Sequence, residues 1–352
     1  MTTRYKYSNP IPVRIYRTQK EFLNELMYIQ SLYQKGGFIV VRLINMNSIS
    51  ELVEKGESGV FCGDCVTLLK DIPDNSIDLI LSDIPYGIGL DDWDVLHKNT
   101  NSAYGGSSPA QAKSAAFKKR GKPINGWSEA DKQIPREYYD WCMTWTPEWT
   151  RVLKPGGSAF VFAGRRFGHR AATALEDAGL NLRDILGWQK DRALHRAQRL
   201  SVVFERRGDR DAAGIWEGWR VGNLKPVFEP IIWTFKPYKV TIADNVLEHG
   251  LGAYNHQVFK ENIGNLNNIL HVPQGKKDMG LHAAQKPEYL MKMLIELVTI
   301  KGQVVLDPFA GSGTTGVVAA NLGRRFIMIE RERKFYDTIK KRLESQQTDL
   351  FD

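Results

Sequence analysis

Short apolar runs bounded by turn residues alternate with amphipathic stretches from about residue 58 onward, the pattern of an α/β protein. Residues 59–62, 77–81, 158–163, 185–188, 231–235, 304–306 and 325–329 read as buried strands. Helical spacing of apolar positions predicts helices over 65–69, 135–153, 167–179, 289–300 and 314–322. In the second of these, Tyr138, Trp141, Cys142, Trp145, Trp149 and Leu153 share one face, which reads as core, and Pro147 should kink or divide the helix.

The pattern weakens in three places. Residues 1–55 carry a basic arm, a helical stretch over 18–33 and a strand over 37–43, with no assignable role. Residues 91–134 are basic, Gly-containing and poor in apolar positions, as a loop closing over substrate or a plain disordered insertion would be. Residues 237–281 are rich in Asn, Gly and His and read as loops that supply hydrogen-bonding side chains.

Composition narrows the class. The 352 residues are 42% hydrophobic and 25% charged, as in a globular chain, and no apolar run reaches the ~18 residues of a membrane span. Residues 1–17 are polar and basic, unlike a secretory leader. A net charge of +8 favours a polyanionic partner. The surplus is densest over 189–225, where Arg192, Arg196, Arg199, Arg206 and Arg207 stand near Trp216 and Trp219. Basic residues interleaved with aromatics suit nucleic-acid contact, and a solvated charged face gives the same pattern. Three cysteines, Cys62, Cys65 and Cys142, make no disulfide framework. The CxxC pair has no second pair and no His cluster nearby, so no metal site is expected.

Two stretches carry chemistry. Ser82-Asp83-Ile84-Pro85-Tyr86-Gly87 follows the 77–81 strand, so it sits where an open α/β sheet places ligands. It offers a carboxylate, a proline-constrained backbone and an aromatic ring, a set that also makes an ordinary turn. The second stretch is Asp307-Pro308-Phe309-Ala310-Gly311-Ser312-Gly313-Thr314, in which a strand ends in an acid and a Gly-rich turn opens a helix. The next strand ends in Glu330, about 20 residues past the glycines, where an acid can bind two ribose hydroxyls. No Lys follows the glycines, so this is no phosphate loop. An acid before the turn suits a cationic or amine-bearing cofactor.

On these residues the chain resembles the S-adenosylmethionine-dependent DNA amino-methyltransferases. The 307–313 run looks like their cofactor motif, and Ser82 to Tyr86 looks like their catalytic motif, usually Asp-Pro-Pro-Tyr, with Ile84 in place of the first Pro. The catalytic motif precedes the cofactor motif, the permuted order of the beta group. The resemblance implies a Rossmann-like methyltransferase fold, α/β with a mainly parallel, circularly permuted seven-stranded sheet and inserted DNA-recognition loops. It divides the chain into an extension (1–55), a catalytic half (56–236), a target-recognition region (237–281) and a cofactor half (282–352).

The resemblance also implies roles. Asp64, Cys65, His282, Lys286, Asp307, Phe309, Gly311, Ser312, Gly313, Thr314 and Glu330 would hold S-adenosylmethionine. Asp83 and the Ile84 carbonyl would accept the hydrogens of a base amine, Pro85 would fix the loop, and Tyr86 would stack on the extruded base. Asp at the first motif position is more typical of adenine-N6 than of cytosine-N4 enzymes. The implied partner is double-stranded DNA, with a homodimer and a cognate restriction endonuclease as further partners, in the cytoplasm at the nucleoid. Cytosine N4 is the alternative target, and a non-catalytic DNA-binding protein of the same fold is the alternative from another class.

Overall fold

The computed structural model describes residues 13–14, 39–40, 48–87, 129–191, 193, 197–222, 224–264, 266–275 and 285–348. Eight strands form the main sheet: β1 (Gly59–Cys62), β2 (Ile77–Asp83), β3 (Leu153–Phe162), β4 (Asn181–Gln189), β5 (Phe228–Phe235), β6 (Ile269–His271), β7 (Val304–Asp307) and β8 (Arg325–Glu330). Their order across the sheet is β6-β4-β5-β3-β2-β7-β8-β1. Only β5 runs against its neighbours; every other pairing is parallel. The sheet therefore has one strand more than the seven expected. The extra one, β6, is a three-residue edge strand, too short to show an apolar period. It is anchored by Trp188, whose indole N–H donates to the Val272 carbonyl at 2.8 Å.

The helices used below are α1 (Glu129–Cys142), α2 (Thr146–Val152), α3 (Gly168–Asp177), α4 (Ile242–His249), α5 (His256–Ile263), α6 (Glu288–Val298), α7 (Thr314–Asn321) and α8 (Arg333–Thr348). Alternate residues of the buried strands feed two cores, one on each face of the sheet. Leu79 and Leu81 join Leu290, Leu294 and Val317 of α6 and α7 on one face. Ile77 and Ile80 join Tyr138, Trp145, Trp149 and Leu175 of the α1–α3 layer on the other. Pro147 does divide the 135–153 stretch. It lies in the first turn of α2, where its missing N–H would have no helical partner in any case.

The central strands are held by more than apolar packing. Asp78, nearly fully buried, accepts from the Lys154 ammonium at 2.7 Å and from the Val304 backbone N–H at 2.7 Å. A buried carboxylate persists when its oxygens are satisfied in this way, and here it fixes β2 beside β7.

Two loop readings are corrected. Residues 129–134 of the expected 91–134 loop begin α1, while 88–128 lie outside the described residues. The 237–281 stretch holds α4, α5 and β6. Both helices are set by local caps: Thr241 and Asn255 accept at the N-termini, and Gly250 and Gly264 take left-handed φ of 67° and 78° at the C-termini. The helices are short and largely exposed, with Val258 and Phe259 of α5 reaching the core, so their apolar period is faint. In the N-terminal extension Ile39–Val40 pairs in parallel with Val13–Arg14, and the 18–33 helix reading lies outside the described residues. The helix Ile49–Glu54 packs Ile49 and Leu52 into the core beneath β1 and β8.

Candidate active site

The parallel strands β1, β2, β7 and β8 end at one edge of the sheet, and their terminal residues line a common cleft. Gly63 to Val66 contribute from β1, Asp83 and Pro85 from β2, Asp307 to Ser312 from β7, and Glu330 to Glu332 from β8. Carboxylates outnumber cations along the walls: Asp64, Asp83, Asp307, Glu330 and Glu332 face Lys286 and Arg331. Trp141, Met291, Phe309 and Phe335 supply the apolar surface. A cleft of this chemistry suits a cationic ligand with an aromatic portion.

Local hydrogen bonding shapes each acid. Asp64 caps the helix Cys65–Leu68 through a 3.2 Å bond from the Thr67 N–H. Asp307 accepts from Ser82 Oγ at 2.7 Å, Thr315 Oγ1 at 2.6 Å and the Phe309 N–H at 3.2 Å. Glu330 accepts from the Gly311 and Glu332 backbone N–H groups, both at 2.7 Å. Burial pushes the carboxyls of Asp307 and Glu330 up to about 6, against the pull of these donors. The Ser82–Asp307 bond spans 225 residues of sequence and joins the two motifs directly.

Beside the cleft lies a buried ionic cluster. Asp83 Oδ2 pairs with the Lys286 ammonium, which is also 3.2 Å from Glu229 Oε1 and 3.2 Å from the Tyr86 hydroxyl. The Tyr86 hydroxyl lies 2.9 Å from Asp83 Oδ1 and 2.7 Å from Glu229 Oε1, and donates to one of them at a time. Glu229 pairs in addition with Lys190. Burial raises the Asp83 carboxyl above the usual range, with Lys286 opposing and Glu229 adding to the shift. At Glu229 the same burial is outweighed by Lys286 and Lys190, which hold it below the usual range. Burial favours a neutral Lys286, but Asp83 and Glu229 keep it charged.

The loop itself is tightly seated. The Ile84 side chain is buried in the α1–α3 core, so an apolar branched residue fills the place of the usual proline. Among the described residues no hydrogen bond engages the Ile84 carbonyl. Tyr138 of α1 donates to the Pro85 carbonyl at 2.8 Å. The Tyr86 ring lies against Gly164, where an added Cβ would stand 2.9 Å from Tyr86 Cβ.

The structure thus gathers Asp64, Cys65, Asp83, Pro85, Lys286, Asp307, Phe309, Gly311, Ser312, Thr314 and Glu330 around one cleft. Gly313 is not among the lining residues; its backbone packs against Ile339 of α8. His282, Arg192 and Arg196 lie outside the described residues.

Arg199, Arg206 and Arg207 are exposed on an arm that leaves β4 and returns as β5, both at the catalytic edge. The arm has a two-stranded base, Gln198–Arg199 with Arg220–Val221, and two short helices. By contrast α4 sits at the opposite edge. Asn245 bonds the Pro155 carbonyl at 3.2 Å near the start of β3, and Gln303, just before β7, bonds the Gly250 carbonyl at 3.3 Å.

Sequence reasoning missed Glu229, Lys190 and Trp141. Glu229 is an acid heading an otherwise apolar strand, which is a usable signal in hindsight. Lys190 is hidden among the basic residues of 189–225, and Trp141 shares the helical period of core aromatics although it lines the cleft.

An acid- and glycine-lined cleft thus adjoins the Asp-X-Pro-Tyr loop, the arrangement expected of a group-transfer enzyme. The DNA methylase family of the N6/N4 type matches residues 77–341. The Type II methyltransferase M.HindIII of Haemophilus influenzae is 52% identical over 299 residues, covering 83% of this chain and 97% of that protein. The Type II methyltransferase M.HinfI, also of Haemophilus influenzae, is 27% identical over 289 residues, covering 80% and 67%. Among solved structures, the cytosine-N4-specific PvuII DNA methyltransferase shares the fold, with a TM-score of 0.52 and 17% identity over 83% of this chain and 90% of its own.

The chain belongs to the N6/N4 DNA methylase family, which uses S-adenosylmethionine. Its methyl acceptor is DNA. No described helix is long and apolar enough to cross a membrane.

Proposed function

We propose that this methyltransferase modifies N6 of an adenine extruded from the duplex, with Asp83 and the Ile84 carbonyl as the acceptors that position the amine. The observation that carries the reading is the placement of a half-buried Asp83 at the cleft wall, one residue from the Ser82 hydroxyl that bonds Asp307. Asp83 is the motif position whose identity the family resemblance associates with adenine.

The cleft fits the family's methyl donor: its carboxylates suit a sulfonium and an amine, and its aromatic surface suits an adenine. Asp64, Cys65, Asp307, Phe309, Gly311, Ser312, Thr314 and Glu330 hold S-adenosylmethionine in this reading, joined by Trp141 and Phe335. Bound there, it supplies an electrophilic methyl group. Glu330 ends β8 where ribose hydroxyls are bound in sheets of this kind.

The chain's own part is orientation and charge. An exocyclic amine is a poor nucleophile because its lone pair is delocalised into the ring. Asp83 accepts one N–H and the Ile84 carbonyl the other, which favours a tetrahedral nitrogen with its lone pair freed toward the cleft. As the nitrogen is alkylated it loses a proton, and the Asp83 carboxylate receives it. Tyr86 gives the base a ring to stack on. Its hydroxyl is tied to Asp83 or Glu229, which fixes the plane of that ring.

DNA lies across the catalytic edge in this reading. Arg199, Arg206 and Arg207 on the arm meet phosphates, and the exposed Trp219 and Ile215 face the duplex. Target contact in this reading lies on the arm and the later part of 237–281, since α4 sits at the opposite edge. A cognate endonuclease, a homodimer and work at the nucleoid complete the family reading; sedimentation of the free enzyme tests the dimer.

The test uses methyl-labelled cofactor and duplex DNA of mixed sequence, followed by digestion to nucleosides. Label on N6-methyl-2′-deoxyadenosine is the expected result. Label on N4-methylcytosine overturns the choice of target, and cofactor bound with no label on DNA overturns the reaction. Asp83→Ala should abolish transfer while cofactor still binds; retained turnover removes Asp83 from its role.

A further inference from the structure

We infer that Lys286 is a positioning residue for Asp83, not a ligand of the cofactor, and that Glu229 and Lys190 form the counter-charge that holds Lys286 in place. The inference rests on the reading of Asp83 as the acceptor of the base amine.

The geometry assigns the role. Lys286 is 5% exposed and lies between two carboxylates, ion-paired to Asp83 and 3.2 Å from Glu229. Its ammonium also stands over the rings of Tyr86, at 5.6 Å, and Phe162, at 5.2 Å. An ammonium has three donors and no acceptor. Asp83, Glu229 and the Tyr86 hydroxyl all lie within reach of those donors. A group so held at Oδ2 restrains rotation of the Asp83 carboxylate, and Oδ1, 2.9 Å from the Tyr86 hydroxyl, keeps a second lone pair for an amine. Glu229 is held in turn by Lys190 at the end of β4, so the cluster contains two carboxylates and two ammoniums and is close to neutral.

Charge balance gives the inference its signature. Among the described residues the groups facing Asp83 are Lys286 from the segment before α6, Glu229 from β5, Tyr86 from its own loop, and Asp307 across the cleft from β7, with Lys190 behind Glu229. Asp83 must be ionised to accept an amine hydrogen and the released proton. Burial and Glu229 oppose ionisation, and Lys286 favours it. Removal of an adjacent opposite charge moves a carboxyl by about 1–3 pH units. Removal of the like charge moves it the other way.

The experiment measures single-turnover methyl transfer against pH, with cofactor affinity measured separately by calorimetry. Wild type and Asp83→Ala are run first: loss of transfer in Asp83→Ala secures the parent reading, and retained transfer overturns both readings together. Lys286→Met should move the acid limb of the rate profile up by at least about one pH unit, with rate regained in alkali and cofactor affinity unchanged. Lys286→Arg should restore much of the limb. Glu229→Gln should move the limb down, an opposite sign that misfolding cannot mimic. An unmoved limb in both Lys286→Met and Glu229→Gln overturns the inference alone. So does a loss of cofactor affinity in Lys286→Met with the limb in place, the outcome a cofactor ligand would give. If Lys286→Met does not fold, the direction of the Glu229→Gln shift decides: down supports the inference, up or none overturns it.

Discussion

Replacing Gly313 by alanine separates the two uses of the Gly-rich turn, contact with the cofactor and closure of the fold. Gly313 caps α7 with φ of 79°, in the left-handed region. A Cβ built there would stand 2.8 Å from Ile339 Cγ1 and 2.9 Å from Ile339 Cγ2. Ile339 is fully buried on α8, and as a β-branched side chain it has no rotamer freedom with which to give way. The left-handed backbone costs alanine about 1 kcal/mol and overpacking about 1–3 kcal/mol more, so the variant should lose about 2–4 kcal/mol. Urea unfolding of the full chain without cofactor measures the loss. Ile339→Ala alone should cost about 2–5 kcal/mol through the cavity it leaves. The double variant should then be less destabilised than the sum of the two by about 1–3 kcal/mol, because the truncated side chain vacates the space the new Cβ needs. Cofactor affinity of the folded protein should change little, since Gly313 does not line the cleft. An unchanged unfolding midpoint, or additive losses together with weakened cofactor binding, refutes the reasoning.

Two further outcomes follow from charge. The Asp307 carboxyl is raised from 3.8 to about 6, so the folded chain holds this proton more tightly than the unfolded chain does. Its contribution to stability is full below the unfolded value and is lost as pH rises through about 6, a change of about 3 kcal/mol for a shift of this size. Asp307→Asn should therefore gain stability relative to wild type between pH 4 and pH 8 by about that amount, and parallel pH profiles of the two would sink the account. On DNA, Arg206→Ala with Arg207→Ala should reduce the slope of log affinity against log salt by about 2, one for each phosphate that an arginine no longer neutralises. An unchanged slope in a filter-binding series would remove the arm from the DNA surface.

Much of the chemistry was legible because it is local. A buried strand ending in an acid and then glycines, or ending in Asp-X-Pro-Tyr, is a pattern that the backbone must turn into a ligand-facing loop at the sheet edge. Asp83, Asp307, Phe309, Gly311 and Glu330 were reached in that way, and all five line the cleft. Pro147 was legible for the same reason, since a missing N–H acts on its own turn of helix. The 237–281 stretch was misread as loop because short helices with one or two core contacts, such as Phe259 of α5, leave almost no period for a sequence pattern to show.

The sequence by itself determined seven of the eight sheet strands, the two motifs and the acids that end three of the cleft strands, because each depends on residues within one turn or one strand. Tertiary structure alone decided which charges share a dielectric. Lys286 and Asp83 are 203 residues apart, and Tyr86 and Glu229 are 143 apart. Only the meeting of the ends of β2, β4 and β5 with the segment before α6 at one edge of the sheet puts them within hydrogen-bond reach. Burial then makes their mutual charges matter far more than they would in water. The same packing lays Ile339 of α8 in the space beside Gly313, a neighbour that no local pattern announces.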